Sequence, residues 1–238
     1  MTKSNGLMRK TMWGGAAAFA LGLAAFLPQH SAVAEDMKVV PPPKVDVPAG
    51  AAKTETAVLA GGCFWGVQGV FQHVKGVKDA VAGYTGGAAA TALYPVVSTG
   101  TTGHAESVRI TYDPQEVSYG KLLQIYFSVV TDPTTLNAQG RDEGTQYRSN
   151  IFPANAEQEK VAKAYVAQLQ QAHVFGAPVV TKVTPLKAFY QAEGYHQNYL
   201  SLHPTDGYIA ENDIPKVEGL KKLFPQDWKP GAVLTATN

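Results

Sequence analysis

One cysteine, Cys63, stands alone in 238 residues. A chain with one thiol cannot staple itself with an internal disulfide or build a Cys-rich zinc site, so its fold has to rest on a hydrophobic core. The composition can supply one, with 45% hydrophobic and 16% charged residues, which excludes a collagen-like repeat and a fully disordered chain. Twenty Lys and Arg against nineteen Asp and Glu give a net charge of +1. No strong field is available to hold a polyanion, and nucleic acid is not expected as a partner.

The N-terminal residues read as a targeting segment. Lys3, Arg9 and Lys10 precede an uncharged run from Met12 to Leu27, and Ala32-Val33-Ala34 has the small-x-small form of a cleavage site. The run is shorter than the ~20 residues a membrane-spanning helix needs. Residues 1–34 are therefore expected to be a signal peptide, with an uncleaved anchor as the minority alternative. Cleavage would leave an exported protein, periplasmic or secreted, with a net charge of −2. Residues 35–54 contain Pro41, Pro42, Pro43 and Pro48 and read as an extended linker with little fold of its own.

Residues 55–238 form the expected folded domain with a C-terminal tail. Ala57–Ala60 reads as a buried strand entering a Gly61-Gly62 turn. Phe64, Val67, Phe71 and Val74 then recur at helical spacing, with Trp65, Gln68 and Gln72 on the other side. Val77–Tyr84 and Glu106–Tyr112 read as strands, and Ser118 as the cap of a helix carrying Leu122, Leu123, Tyr126 and Phe127. Tyr147–Phe152 predicts another strand, Asn155 with Gln158 a capped helix to about Ala172, and Val179–Val183 a further strand. This order predicts an α+β two-layer sandwich with a mixed or antiparallel sheet and a ferredoxin-like core.

Cys63 falls at a predicted helix start, where unpaired N–H groups and the helix dipole lower a thiol's pKa and favour a nucleophile. Trp65 beside it suggests an aromatic wall for a small apolar group. Glu106 shares its strand face with Val108, Ile110 and Tyr112. A carboxyl held there loses hydration, stays protonated near neutrality and can act as a general acid. The long polar loop Asp132–Asn150 carries Asp142 and Tyr147, and a buried tyrosine can donate to a developing oxyanion. His104 or His196 could instead serve as a base for Cys63, giving a cysteine hydrolase or acyltransferase. A non-catalytic module whose aromatic pocket recognises a partner is the third alternative.

Gly61-Gly62-Cys63-Phe64-Trp65-Gly66, Gly83-Tyr84-Thr85-Gly86-Gly87, Gly103-His104-Ala105-Glu106, Gly144-Thr145-Gln146-Tyr147-Arg148-Ser149 and Ala192-Glu193-Gly194-Tyr195-His196-Gln197 occur in that order. Together they resemble the A class of peptide methionine sulfoxide reductases, over roughly Thr56–Pro225. The resemblance implies attack by Cys63 on the sulfoxide sulfur, proton donation by Glu106, and hydrogen bonds from Tyr94 and Tyr147 to the oxygen. Asp142 would shape that site, and Phe64 and Trp65 would hold the substrate methyl group. It further implies the S epimer as substrate, free or in oxidised proteins and peptides, a sulfenic acid on Cys63, and no metal or organic cofactor.

The chain departs from many members of that family. Ser98 replaces a cysteine, and the tail resembles the variant with Tyr208-Ile209 and Asn212-Asp213-Ile214-Pro215-Lys216 in place of recycling cysteines. The implied partner is then an external reductant, a thioredoxin- or glutaredoxin-like protein or a small thiol, with the enzyme itself a monomer. Gln68 replaces a glutamate, and Thr91-Ala92-Leu93 replaces the usual approach to Tyr94.

Overall fold

In a computed structural model the structure describes residues 1–2 and 37–236, so residues 3–34 of the proposed leader lie outside the described residues. The chain forms β1 (Glu55–Ala60), α1 (Phe64–Gln72), β2 (Val77–Thr85), the short α2 (Tyr94–Val97), β3 (Ala105–Tyr112) and α3 (Tyr119–Ile125). It continues through a two-residue ladder, β4 (Ala138–Gln139) and β5 (Asp142–Glu143), then β6 (Asn150–Phe152) and α4 (Ala156–Gln171). The last elements are β7 (Lys182–Val183), β8 (Phe189–Gln191), α5 (Tyr199–Leu202) and α6 (Ile214–Leu223). Six strands make one mixed sheet in the order β7-β6-β1-β3-β2-β8, in which only β6 and β7 run parallel.

Strand alternation divides the core. Ala57 and Leu59 of β1 pack with α1, α3 and α4 side chains, including Phe64, Phe71, Leu122 and Tyr165. Val58 and Ala60 point to the opposite face and pack with Ala105, Phe152, Leu186 and Phe189. Two buried faces explain why β1 reads as a continuous apolar run. Both expected caps form: Ser118 Oγ accepts Lys121 N–H at 3.1 Å, and Asn155 Oδ1 accepts Gln158 N–H at 2.9 Å.

Several boundaries differ from expectation. Tyr147 lies in a turn, Thr145–Tyr147, ahead of β6, and the strand anticipated over Val179–Val183 contracts to Lys182–Val183. The helix anticipated as amphipathic, α1, is buried nearly all round, Gln68 and Gln72 included. Gln68, which replaces a glutamate, donates to Ala80 O at 2.7 Å and accepts from Asn198 N–H at 2.9 Å, and so is tied into the core.

The Pro-rich stretch is extended, but it does not behave as a free linker. Proline has no N–H, so Pro41–Pro43 offer carbonyls that need donors from elsewhere. Helix side chains provide them. Tyr165 O–H donates to Pro41 O at 2.6 Å, and Gln168 Nε2–H to Pro42 O at 2.9 Å. Val40 is fully buried, with Gln124 Nε2–H on its carbonyl at 2.8 Å and its own N–H on Ser128 Oγ at 3.1 Å. Asp46 accepts from Gly120 N–H at 2.7 Å and Ser118 O–H at 2.5 Å. Residues 37–47 are thus a strap bound across the helical layer.

Candidate active site

Strand directions create the site. β1 runs antiparallel to β3 and β6, and β2 antiparallel to β3, so the ends of β1 and β2 lie beside the starts of β3 and β6. Register pairs Leu59 with Val108, Ala60 with Asn150 and Tyr84 with Glu106. The turn after β1 carries Cys63, the segment after β2 carries Tyr94, β3 opens with Glu106, and the loop before β6 carries Asp142 and Tyr147. All five sequence-predicted polar residues meet at this edge of the sheet.

Cys63 is the residue immediately before α1, and the turn delivering it needs glycine. Gly62 has φ +93°, and a Cβ there would stand 2.7 Å from Gln139 Cβ. Glu106 is 2% exposed, and its Oε2 accepts the Phe64 N–H at 3.0 Å, at the start of the helix. Burial pushes the Glu106 carboxyl up to about 8, reinforced by Asp142 and Asp213 against the lowering effect of the Phe64 N–H. The expected general acid is therefore protonated at neutral pH.

The expectation for the thiol is overturned. Burial, then the carboxyls of Glu106, Asp213 and Asp142, push the Cys63 thiol well above its ordinary value, while the Trp65 N–H pulls the other way. Helix-start N–H groups act over a single turn, and here desolvation and three acids outweigh them. The resting pair is a thiol beside a carboxylic acid.

Aromatic rings wall the site. Trp65 stacks on Tyr199 at 4.0 Å between ring centroids and meets Tyr208 edge-on at 5.9 Å. Phe64 and Tyr94 both contact the His196 ring, at 4.9 and 4.4 Å. Burial raises Tyr94 and Tyr147, with Glu106, Asp142 and Cys63 adding to the shift, so both stay protonated donors. Tyr208 O–H donates to Asp142 Oδ2. Glu193 takes the Tyr94 N–H at 2.9 Å and the Tyr84 O–H at 2.8 Å. Burial would raise that carboxyl, but these bonds hold it below the usual range.

Glu193, Tyr199, Tyr208 and Asp213 escaped the sequence reading as site residues, although motif positions or tail variants covered three of them. Asp213 is fully buried, pressed where a Cβ on Gly66 would stand. The residue after Trp65 must therefore lack a side chain, the one local trace of this contact. Neither histidine has a ring nitrogen hydrogen-bonded to Cys63. His104 Nδ1 takes the Gly87 N–H at 3.2 Å and its Nε2 faces Ala88 O at 3.0 Å. His196 Nδ1 takes the Trp65 Nε1–H at 3.2 Å. The cysteine hydrolase reading loses its base.

An α+β sandwich presenting a lone thiol against a buried acid at a sheet edge is, in class, an enzyme that works through sulfur. The family model "Peptide methionine sulfoxide reductase" matches residues 55–228. "Peptide methionine sulfoxide reductase MsrA 2" of Mesorhizobium japonicum is 60% identical over 187 residues, 78% of this chain and 96% of that relative. The protein of that name from Synechocystis sp. is 48% identical over 195 residues, 81% of this chain and 91% of the relative. Among solved structures, reduced Mxr1 from Saccharomyces cerevisiae matches with a TM-score of 0.60 at 32% identity, covering 71% of this chain and 95% of that one. Methionine sulfoxide reductase A of Corynebacterium diphtheriae matches with a TM-score of 0.56 at 31% identity, covering 71% and 85%. The chain belongs to the peptide methionine sulfoxide reductase family, and its reaction is the reduction of methionine sulfoxide to methionine.

Proposed function

We propose that this chain repairs methionine S-sulfoxide, free or in oxidised proteins, through Cys63 with Glu106 as its acid. The observation that carries the reading is Glu106: a buried carboxyl raised to about 8, bound to the N–H next to Cys63. In the resting site both groups hold their protons. Glu106 protonates the sulfoxide oxygen, with Tyr94 and Tyr147 donating to it. The positive charge placed on the substrate sulfur favours loss of the Cys63 proton to the newly formed Glu106 carboxylate. The thiolate attacks that sulfur and forms an S–S bond; the oxygen takes the proton back from Glu106 and leaves as water. Water then adds to the Cys63 sulfur, the S–S bond breaks, methionine departs, and one proton of that water passes to the Glu106 carboxylate. The substrate sulfur gains two electrons, the Cys63 sulfur loses two, and a sulfenic acid remains.

Phe64 and Trp65 hold the methyl group, and Asp142, tied to Tyr208, shapes the oxygen side. This chain has no second cysteine to resolve the sulfenic acid. Two equivalents of external thiol, from a thioredoxin- or glutaredoxin-like protein or a small thiol, restore Cys63 and release a disulfide and water. We read the core as ferredoxin-like, from the β6-β1-β3-β2 order and the α1 and α3 crossovers. We also propose export, on the tripartite pattern of residues 1–34. Incubating the protein with a methionine sulfoxide peptide and dithiothreitol tests the chemistry: methionine accumulates catalytically with the native chain and not with Cys63→Ser. Equal turnover by Cys63→Ser would overturn the reading.

A further inference from the structure

Met37 is the one methionine after residue 12. It sits at the start of the strap, half-buried against the core. Its Sδ lies 2.5 Å from where a Cβ on Gly219 would be, a point itself 3.6 Å from Val129 Cγ1. The thioether therefore rests directly on the α6 backbone, in a gap that any side chain at 219 would fill. Next to it, Lys38 Nζ donates to Val174 O at 2.7 Å and stands 5.4 Å from the centre of the Phe175 ring. Met37, Lys38, Phe127, Phe175 and Gly176 line an open surface cavity of about 190 Å³, large enough to admit a peroxide.

We propose that Met37 is an oxidation site that unlatches the strap and is then repaired by a second copy of this enzyme. A hydroperoxide transfers one oxygen to the Met37 sulfur: its O–O bond breaks, an S–O bond forms, the sulfur loses two electrons, and water or an alcohol departs. The sulfoxide oxygen is a strong acceptor, and the side of the sulfur turned to α6 offers it only Val129 Cγ1 and the Gly219 backbone, whose N–H lies within the helix. A polar group buried without a donor favours exposure. The strap start therefore leaves α6, and Met37 becomes an extended, accessible sulfoxide, the substrate form this family reduces. The bonds of Val40, Pro41 and Pro42 to α3 and α4 still tether the freed Met37 to the helical layer, so repair runs between molecules. This step rests on the Cys63 reading above.

The test uses the full chain and its Cys63→Ser variant, treated with hydrogen peroxide, freed of it, and followed by peptide mass spectrometry. Met37 is expected to gain one oxygen, and trypsin cleavage after Lys38 and Lys44 to accelerate several-fold. Met37→Leu, which keeps the packing and cannot be oxidised, should show no such acceleration. With dithiothreitol, about half of the Met37 sulfoxide should disappear from the native chain, because one epimer is accepted. The rate should rise with protein concentration, and Cys63→Ser should stay oxidised until native enzyme is added. The proposal fails if Met37 resists peroxide that oxidises a free methionine peptide, or if oxidation leaves cleavage at both lysines unchanged. It fails equally if the Met37 sulfoxide persists while a methionine sulfoxide peptide in the same tube is reduced. Loss of peptide reduction as well would instead overturn the Cys63 reading.

Discussion

Glu106 does two things that pull in opposite directions. Buried and raised to about 8, it holds the proton that the proposed mechanism gives to the substrate oxygen, but its ionised form is costly to hold in the fold. A carboxyl whose folded pKa lies above its ordinary value near 4.5 binds its proton more tightly in the folded chain, so stability falls as pH rises from about 4.5 towards about 8. Activity that needs the acid form falls over the same upper limb, around pH 8. Glu106→Gln should lose on the order of 10²–10⁴-fold in kcat/KM and should also lose that alkaline limb. Its denaturation midpoint above pH 8 should exceed that of the native chain. A pH profile of kcat/KM paired with urea unfolding at pH 6 and 9 reads both effects, and a loss of only a few-fold contradicts the acid role. At Gly62, alanine must adopt φ +93° against Gln139, and Gly62→Ala should cost on the order of 1–2 kcal/mol in unfolding free energy.

Elements were legible where their signals are local. Ser118 and Asn155 announced α3 and α4 because a capping side chain sits within three residues of the N–H it serves. The strap was not legible, since nothing within Pro41–Pro43 shows that Tyr165 and Gln168, more than a hundred residues on, supply their donors. For the same reason α1 read as amphipathic: the covering residues Leu200 and Asp213 arrive from the end of the chain. The strap is expected to be a structural part of the domain. Asp46→Ala removes the acceptor for Gly120 N–H and Ser118 O–H and should destabilise by about 1 kcal/mol, as loss of a helix cap does, with kcat unchanged. Chemical denaturation beside steady-state kinetics checks this; an unchanged midpoint would mean that the strap contributes nothing there.

At the scale of the whole molecule, antiparallel pairing of β1 with β3 and β6 and of β2 with β3 gathers Cys63, Glu106, Tyr94, Asp142 and Tyr147 from 85 residues of chain. The motifs contained Cys63, Glu106 and Tyr147, the family resemblance added Tyr94, the long polar loop carried Asp142, and the strand face of Glu106 foretold its burial. The state of the thiol was not readable, because it depends first on how fully the α1 start is buried, and then on Glu106, Asp213 and Asp142, which the sequence does not place beside Cys63. The proposed mechanism makes one chemical demand: every methionine formed must leave one oxidised sulfur on Cys63. Mixing the protein with excess methionine sulfoxide peptide and no reductant, then trapping sulfenic acid with dimedone, measures this directly. The account expects about one methionine per chain and the adduct on Cys63 alone. Continued turnover without thiol, or methionine formed with Cys63 unmodified, would contradict it.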